Sequence, residues 1–210
     1  MNRWAQELFA NEDFLRMGHF QRLEDHNLGL GWLYYSLARV IRPRVVIVIG
    51  SWRGFAPLVF GKALMDNLEK GEVIFIDPSL VDDFWKDAQS VKSHFKSFDA
   101  TNIKHYLMTT QQFVKSETYE NLSDIGIVFI DGYHSKEQAE FDYNAFEQLV
   151  SRDGVILLHD TKKVRSSKFY GNDNVYEHQV KYFVDELKKN KELQVYDFPF
   201  GRGVTLVRKL

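Results

Sequence analysis

The sequence predicts an α/β fold, a three-layer sandwich built on a seven-stranded, mostly parallel sheet whose last strand is antiparallel. Two observations carry this expectation. From about residue 45 onward, short apolar runs rich in β-branched residues alternate with amphipathic segments, the pattern of βα units covered by helices on both faces. The last two runs are separated only by Pro199-Phe200-Gly201-Arg202, too short for a helical crossover, so they should pair as a hairpin at the sheet edge.

In chain order, strands are expected at Val45–Ile49, Glu72–Ile76, Lys104–Met108, Ile125–Ile130, Val155–Leu158, Leu193–Phe198 and Gly203–Val207. Between them Val81, Phe84, Trp85, Ala88, Val91 and Phe95 recur at helical spacing, as do Ala139, Tyr143, Phe146 and Val150, and then Tyr176, Val180, Phe183 and Leu187. Ser135, three residues before Gln138, predicts a capping box opening the helix after the fourth strand. Residues 1–42 carry no strand pattern and read as a helical N-terminal extension, with Leu28 to Val40 forming a helix beside the first strand. Residues 43–210 then form the sheet domain; no linker, repeat or low-complexity segment divides them, so one domain is expected overall.

Composition removes several classes of function. The 210 residues include 27 Lys+Arg against 29 Asp+Glu, a net charge of −2, which supplies no global basic field for nucleic acid. The longest strongly apolar run, Val45–Ile49, falls far short of the roughly 20 residues of a membrane span. The start, MNRWAQELFANEDF, lacks the apolar centre of a secretory signal. With no cysteine, disulfides, thiolate metal sites and cysteine nucleophiles are excluded, and a cytoplasmic location is the expectation. The 4 Trp, 10 Tyr and 17 Phe suit an aromatic-walled cleft as well as a core. Homo-oligomerisation is left open.

In an open parallel sheet, ligands bind beyond the carboxyl ends of the strands. After the first strand comes Gly50-Ser51-Trp52-Arg53-Gly54, whose glycines let the backbone approach a ligand at the entrance of a helix. It lacks the middle glycine of GxGxxG, and a tight turn is the plainer alternative. Asp77 ends the second strand, where a carboxylate is placed to accept the ribose hydroxyls of an adenosine cofactor or, alternatively, to cap a helix. Thr109-Thr110-Gln111 after the third strand would flank an adenine or simply start a helix. The fourth and fifth strands end in Asp131-Gly132-Tyr133-His134 and His159-Asp160-Thr161. Two carboxylates there suit Mg²⁺ or Mn²⁺, and His159 tilts the preference toward Mn²⁺, Fe²⁺ or Zn²⁺. A histidine so placed is equally a general base, and a hydrogen-bonded His–Asp pair is the bland alternative. The following loop, Lys162-Lys163-Val164-Arg165-Ser166-Ser167-Lys168, precedes Phe169-Tyr170-Gly171; it either covers a cleft and favours an anionic acceptor or is merely solvated. His19, His26, His94, His105 and His178 show no constellation and read as structural or surface residues.

These residues together make the chain resemble the class I S-adenosylmethionine-dependent methyltransferases, and more closely the catechol- and caffeoyl-CoA-type O-methyltransferases and the family with cephalosporin-hydroxylase-type proteins. The resemblance spans roughly residues 28–210. It is carried by Val45 to Gly54, Ile76-Asp77, Phe129 to His134, Asp153 to Thr161 and the closing hairpin. It implies a Rossmann-like sandwich and an enzyme that methylates a small-molecule acceptor, by O-methylation assisted by a divalent metal, Mg²⁺ or Mn²⁺. By the resemblance Gly50, Ser51, Trp52 and Gly54 line the methionine end of S-adenosylmethionine, Asp77 holds its ribose, and Thr110 and Gln111 meet its adenine. Asp131 serves both the cofactor's amino group and the metal, with His159 and Asp160 as the remaining metal ligands. His134 stands where the catechol-type enzymes hold a catalytic lysine, which makes His134 the base, beside Asp131. Two positions depart from the family pattern: Val48 stands where an acid is usual, and Ala56 where a serine is frequent. They motivate the competing reading of a catalytically degenerate binding or regulatory protein. A nicotinamide-dependent oxidoreductase is disfavoured by the missing GxGxxG and by the terminal hairpin.

Overall fold

β1 (Val45–Ile49) is apolar at every position because both of its faces are covered: Val46 and Val48 enter one core, Ile47 and Ile49 the other. It occupies the middle of the sheet in a computed structural model that describes residues 2–16, 18–168 and 175–210. Before it come α1 (Asn2–Phe9), a 3-10 turn (Glu12–Arg16) and α2 (Leu30–Ile41). After it follow α3 (Phe55–Met65), β2 (Glu72–Ile76), α4 (Ala88–Lys96), β3 (Ile103–Tyr106), the one-turn helices α5 (Thr110–Phe113) and α6 (Glu117–Glu120), and β4 (Ile125–Ile130). The chain continues with α7 (Lys136–Phe146), β5 (Val150–His159), the short strands β6 (Arg165–Ser167) and β7 (Tyr176–His178), α8 (Val180–Leu187), β8 (Leu193–Phe198) and β9 (Val204–Lys209).

The main sheet has seven strands in the order β3-β2-β1-β4-β5-β9-β8, with β6 and β7 forming a separate antiparallel pair. Pairs β1–β2, β1–β4, β2–β3 and β4–β5 are parallel, and β9 runs antiparallel to both β5 and β8. This is the predicted mostly parallel, Rossmann-like sheet with its last strand reversed. The order reverses between β1 and β4, which opens a crevice at their carboxyl ends.

Trp4, Leu8, Phe14 and Tyr34 from the N-terminal helices share a core with Val46, Phe60 and Phe129, so one face of the sheet is covered by α1, α2 and α3 together. The opposite face packs Ile47, Ile130 and Leu158 against Phe146 of α7 and Phe183 of α8. Among the described residues no helix is long and apolar enough to cross a membrane.

Several elements differ from expectation. β3 stops at Tyr106, two residues before Met108, because the Met108 N–H turns back to the Tyr106 carbonyl and Thr109 opens α5. β5 starts earlier, at Val150, through a register shift opposite Ile125 and Ile127. Of the stripe from Val81 to Phe95 only the second half is helical: Asp87 caps α4 by accepting from Ser90 N–H. The preceding residues fold around Asp82, whose carboxylate holds Arg53. Tyr176 lies on β7 rather than on the stripe of α8. Ser135 does cap α7, but the reciprocal half of the box is missing because Gln138 Oε1, the atom that would accept from the Ser135 N–H, accepts from Gln111 Nε2. The complete capping box is instead Thr109 with Gln112. The β6–β7 pair has no counterpart in the sequence-based expectation, three residues per strand being too short to show alternation.

Candidate active site

A cleft of about 750 Å³ lies beyond the carboxyl ends of β1, β2 and β4 and continues to the β6–β7 hairpin. Gly50, Ser51, Trp52, Asp77, Thr110, Gln111, Asp131 and His134 all line it; Gly54, His159 and Asp160 do not.

The wall at β1 is set by Gly50, at φ +68°, where a Cβ would collide with the Asp131 carbonyl oxygen. Only glycine lets β1 turn this close to the end of β4. Ser51 Oγ accepts from Ala56 N–H at the first turn of α3. Gly54 is the N-cap of α3 at φ +88°, and it faces Trp85 and Phe95 rather than the cleft. Arg53 is bound by Asp82 at 2.7 and 3.2 Å and by Asp13 at 3.3 Å, and its guanidinium sits 4.1 Å from the Trp52 ring centre, so its charge is neutralised by acids from two other segments.

Asp77 accepts from Ser79 N–H at 2.7 Å and caps no helix, since α4 begins at its own cap, Asp87. Burial pushes the Asp77 carboxyl up to about 6 against the hydrogen bonds from Ser79 and Ser51. Gln111 Nε2 donates to Gln138 Oε1, and Gln138 Nε2 donates to Asp142 Oδ1, each at 2.7 Å. Asp142 is a site residue that sequence reasoning missed. It is fully buried on α7, lines the cleft, and its Oδ2 has no partner among the described residues. Burial outweighs its hydrogen bonds from Thr110 and Gln138 and drives its carboxyl up to about 7. The signal was an acid between Ala139 and Phe146 on the apolar stripe of α7.

At the far end, Asp131 Oδ1 and His159 Nδ1 lie 2.6 Å apart. Burial works against the charge on each, but their mutual attraction prevails, lowering Asp131 and raising His159 from their ordinary values. His19 packs its ring 4.4 Å from His159 and places Nδ1 3.0 Å from the Tyr34 hydroxyl. Burial, reinforced by the nearby His159, lowers His19 to about 3 and keeps it neutral. Asp160, itself in the left-handed region at φ +60°, turns its Oδ2 to Arg165 Nη2 at 2.7 Å, His178 Nδ1 at 2.9 Å and His134 Nε2 at 3.4 Å. The His134 and His178 rings stack with centres 4.6 Å apart. Burial lowers His134 to about 4 despite the two carboxylates beside it. Of the histidines expected to be structural or at the surface, His178 thus lines the cleft, while His19 is a fully buried structural residue behind His159.

The expected metal set is not assembled. His159 directs Nδ1 to Asp131, while its Nε2 is buried without a partner among the described residues, and Asp160 gives its Oδ2 to the hairpin and leaves Oδ1 buried without a partner among the described residues. The groups whose ligand atoms do gather, within 4.8 Å of one another, are His134, Asp160 and His178, and the Arg165 guanidinium already stands among them. The donor set therefore does not fit the divalent ion that the sequence resemblance implies. Of the basic loop, Arg165 and Lys168 line the cleft, Lys162 and Lys163 point to solvent away from it, and Phe169, Tyr170 and Gly171 lie outside the described residues. Arg202, from the β8–β9 turn, also lines it. Val48 and Ala56 are both fully buried in the core.

Fold and cleft together define a doubly wound α/β protein with a cleft at the topological switch point. Residues 47–161, from β1 to the residue after Asp160, match the family described as a methyltransferase domain, and the chain belongs to that family. The fold is shared with an O-methyltransferase from Bacillus cereus in complex with SAH, at 11% identity over 100% of this chain and 92% of that one, TM-score 0.70. It is shared likewise with TomG from Streptomyces achromogenes, an O-methyltransferase involved in tomaymycin synthesis and solved with SAM, at 14% identity over 100% and 90% of the two chains, TM-score 0.68. A SAH-bound methyltransferase from Podospora anserina gives 16% identity over 99% and 86%, TM-score 0.63. At these identities the likeness concerns the fold. No match is found among curated proteins.

Proposed function

We propose that this protein transfers a methyl group from S-adenosylmethionine to an oxygen of a small-molecule acceptor, with His134 as the base. The observation that carries the reading is the row of strand-end groups that one cleft brings together, Gln111, Asp77, the Gly50 turn and Asp131 with His134, which follow β3, β2, β1 and β4 in their order across the sheet. The residues fit the cofactor. A half-buried carboxylate at Asp77 suits a ribose diol, and the unpartnered Asp142 oxygen suits the polar edge of a purine.

When bound, S-adenosylmethionine supplies an electrophilic sulfonium methyl group. Trp52, Leu80 and Trp85 keep water from this part of the cleft. Asp131, held as a carboxylate by His159, orients the amino end of the ligand. His134, lowered to about 4, is neutral at pH 7 and takes the acceptor's proton at a ring nitrogen. The imidazolium so formed is offset by Asp160 at 3.4 Å and Asp131 at 3.8 Å. No step is assigned to a metal. Tyr133 and Tyr176, ring centres 4.6 Å apart, offer an aromatic wall to the acceptor. Lys168 and Arg202, which pair with no acid among the described residues, favour an acceptor bearing negative charge.

Calorimetric titration with S-adenosylmethionine, S-adenosylhomocysteine and NADH tests the cofactor. Binding of the adenosyl ligands alone is expected, and preference for NADH would overturn the reading. Release of S-adenosylhomocysteine across a panel of phenolic and carboxylated acceptors then tests transfer. Adenosyl binding with no turnover on any acceptor class, in a protein where His134→Ala changes nothing, would favour the binding or regulatory alternative.

A further inference from the structure

We infer that Arg165 is the resident cation at the acceptor end of the cleft, a guanidinium that holds Asp160, one of the three residues to which the sequence resemblance assigns a divalent metal ion. Its chemical consequence rests on the methyl-transfer reading; the cation seat itself rests on geometry alone.

The seat is built by the β6–β7 hairpin. Arg165 and His178 are direct cross-strand partners in its register, so the strand pairing that forms the hairpin also sets the guanidinium beside the imidazole. Arg165 Nη2 lies 2.7 Å from Asp160 Oδ2 and 3.0 Å from His178 Nδ1. His178 is held at its other nitrogen as well, with Nε2 2.9 Å from Ser167 Oγ. Both imidazole nitrogens are thus engaged inside the hairpin. A metal ion held between Asp160 Oδ2 and His178 Nδ1 would have to displace the guanidinium that already bridges them.

Charge leads to the same place. Asp160 is buried, and an unpaired carboxylate there would be strongly disfavoured. Arg165 supplies the compensating charge through its guanidinium. A guanidinium carries five N–H donors, and only Nη2 is engaged among the described residues. The side chain is 23% exposed and lines the cleft beside His134, so its remaining donors are available to an acceptor oxygen as that oxygen gains negative charge. Methyl transfer in this chain then needs no added divalent cation: the acceptor oxygen bonds to the methyl carbon, the carbon–sulfur bond breaks with its electron pair staying on sulfur, and the proton goes to His134.

The test is calorimetric titration with MnCl₂ and ZnCl₂ of the wild-type chain, Arg165→Ala, and Arg165→Ala combined with Asp160→Asn, with S-adenosylhomocysteine titrated into each as a check on folding. The wild type should show no stoichiometric metal binding, Arg165→Ala should gain it, and the double variant should lose it again. Stoichiometric binding by the wild type that Arg165→Ala leaves unchanged would overturn the proposal. So would an Arg165→Ala protein that binds S-adenosylhomocysteine yet gains no metal. If Arg165→Ala does not fold, the wild-type titration decides alone. Failure of the wild type to bind S-adenosylhomocysteine would count against the methyltransferase reading while leaving the metal titrations to judge the seat.

Discussion

Asp131 and His159, at the ends of the neighbouring parallel strands β4 and β5, form a buried charged pair with Oδ1 and Nδ1 2.6 Å apart. Removing one member leaves the other charge buried without compensation, a loss of about 3–5 kcal/mol. The lowered Asp131 contributes stability above its unfolded value of 3.8, lost as pH falls through its folded value. The raised His159 contributes stability that is full below 6.5 and lost as pH rises through its folded value. Urea unfolding of His159→Gln against wild type should therefore show the largest difference between pH 3.8 and 6.5. A difference independent of pH would show that packing, not the pair, carries it.

Asp142 should act with the opposite sign. Its folded value of about 7 lies above the ordinary 3.8, so between these the native state binds the extra proton and stability falls as pH rises. Relative to wild type, Asp142→Asn should gain roughly 1.4 kcal/mol per pH unit across that window. Thermal melts at pH 4.5, 6 and 7.5 would read this out, and parallel curves would contradict it.

Asp77 predicts a pH dependence of cofactor binding. With its carboxyl at about 6, protonation below that pH removes the acceptor offered to a ribose diol, so affinity for S-adenosylhomocysteine should fall on acidification. Asp77→Asn should bind about 10- to 100-fold more weakly at pH 8 and lose the pH dependence, since hydrogen bonds to a charged group contribute about 1.5–3 kcal/mol. Titrations at pH 5.5 and 8 give the comparison.

His134→Ala should reduce methyl transfer by roughly 10²- to 10⁴-fold, the usual contribution of a positioned base. Affinity for S-adenosylhomocysteine should stay within about twofold, because no cofactor contact is assigned to the His134 ring. A parallel fall in both would move His134 from proton transfer to binding.

Val48→Glu, which restores the acid usual in the resembled family, should destabilise rather than repair. Val48 is fully buried, and its side chain lies in an apolar layer with Tyr34, Phe60 and Phe129. A carboxylate there costs several kcal/mol or titrates to its neutral form. A higher melting temperature with tighter cofactor binding would refute this.

The sheet was legible in the sequence because its central strands are buried on both faces and read as unbroken apolar runs, as Val45–Ile49 and Ile125–Ile130 do. Strand edges were less legible: the end of β3 depends on where Thr109 finds its capping partner, which apolar spacing does not encode. The strand-end candidates followed from topology, so Asp77, Asp131 and His134 could be named from one line of letters. The side chains that act on them could not. His19 reaches His159 from a segment with no periodic pattern, and His178 reaches the cleft from a strand of three residues. The metal set failed for a related reason: spacing brought Asp131, His159 and Asp160 to adjacent strand ends, but the left-handed turn at Asp160 swings its carboxylate to the hairpin.

The Arg202 N–H donates to the Gly18 carbonyl, and the next residue, His19, lies against His159 beneath the cleft. Early and late segments of the chain are thus fastened together at the very place where Asp131 is positioned. During synthesis His19 can reach its ring partners once His159 has left the ribosome, but the Gly18 carbonyl has to wait for Arg202. The family-matching stretch, residues 47–161, is complete well before that moment. A chain shortened before β8 should therefore lose this tie and leave residues 18–29 open to rapid hydrogen exchange.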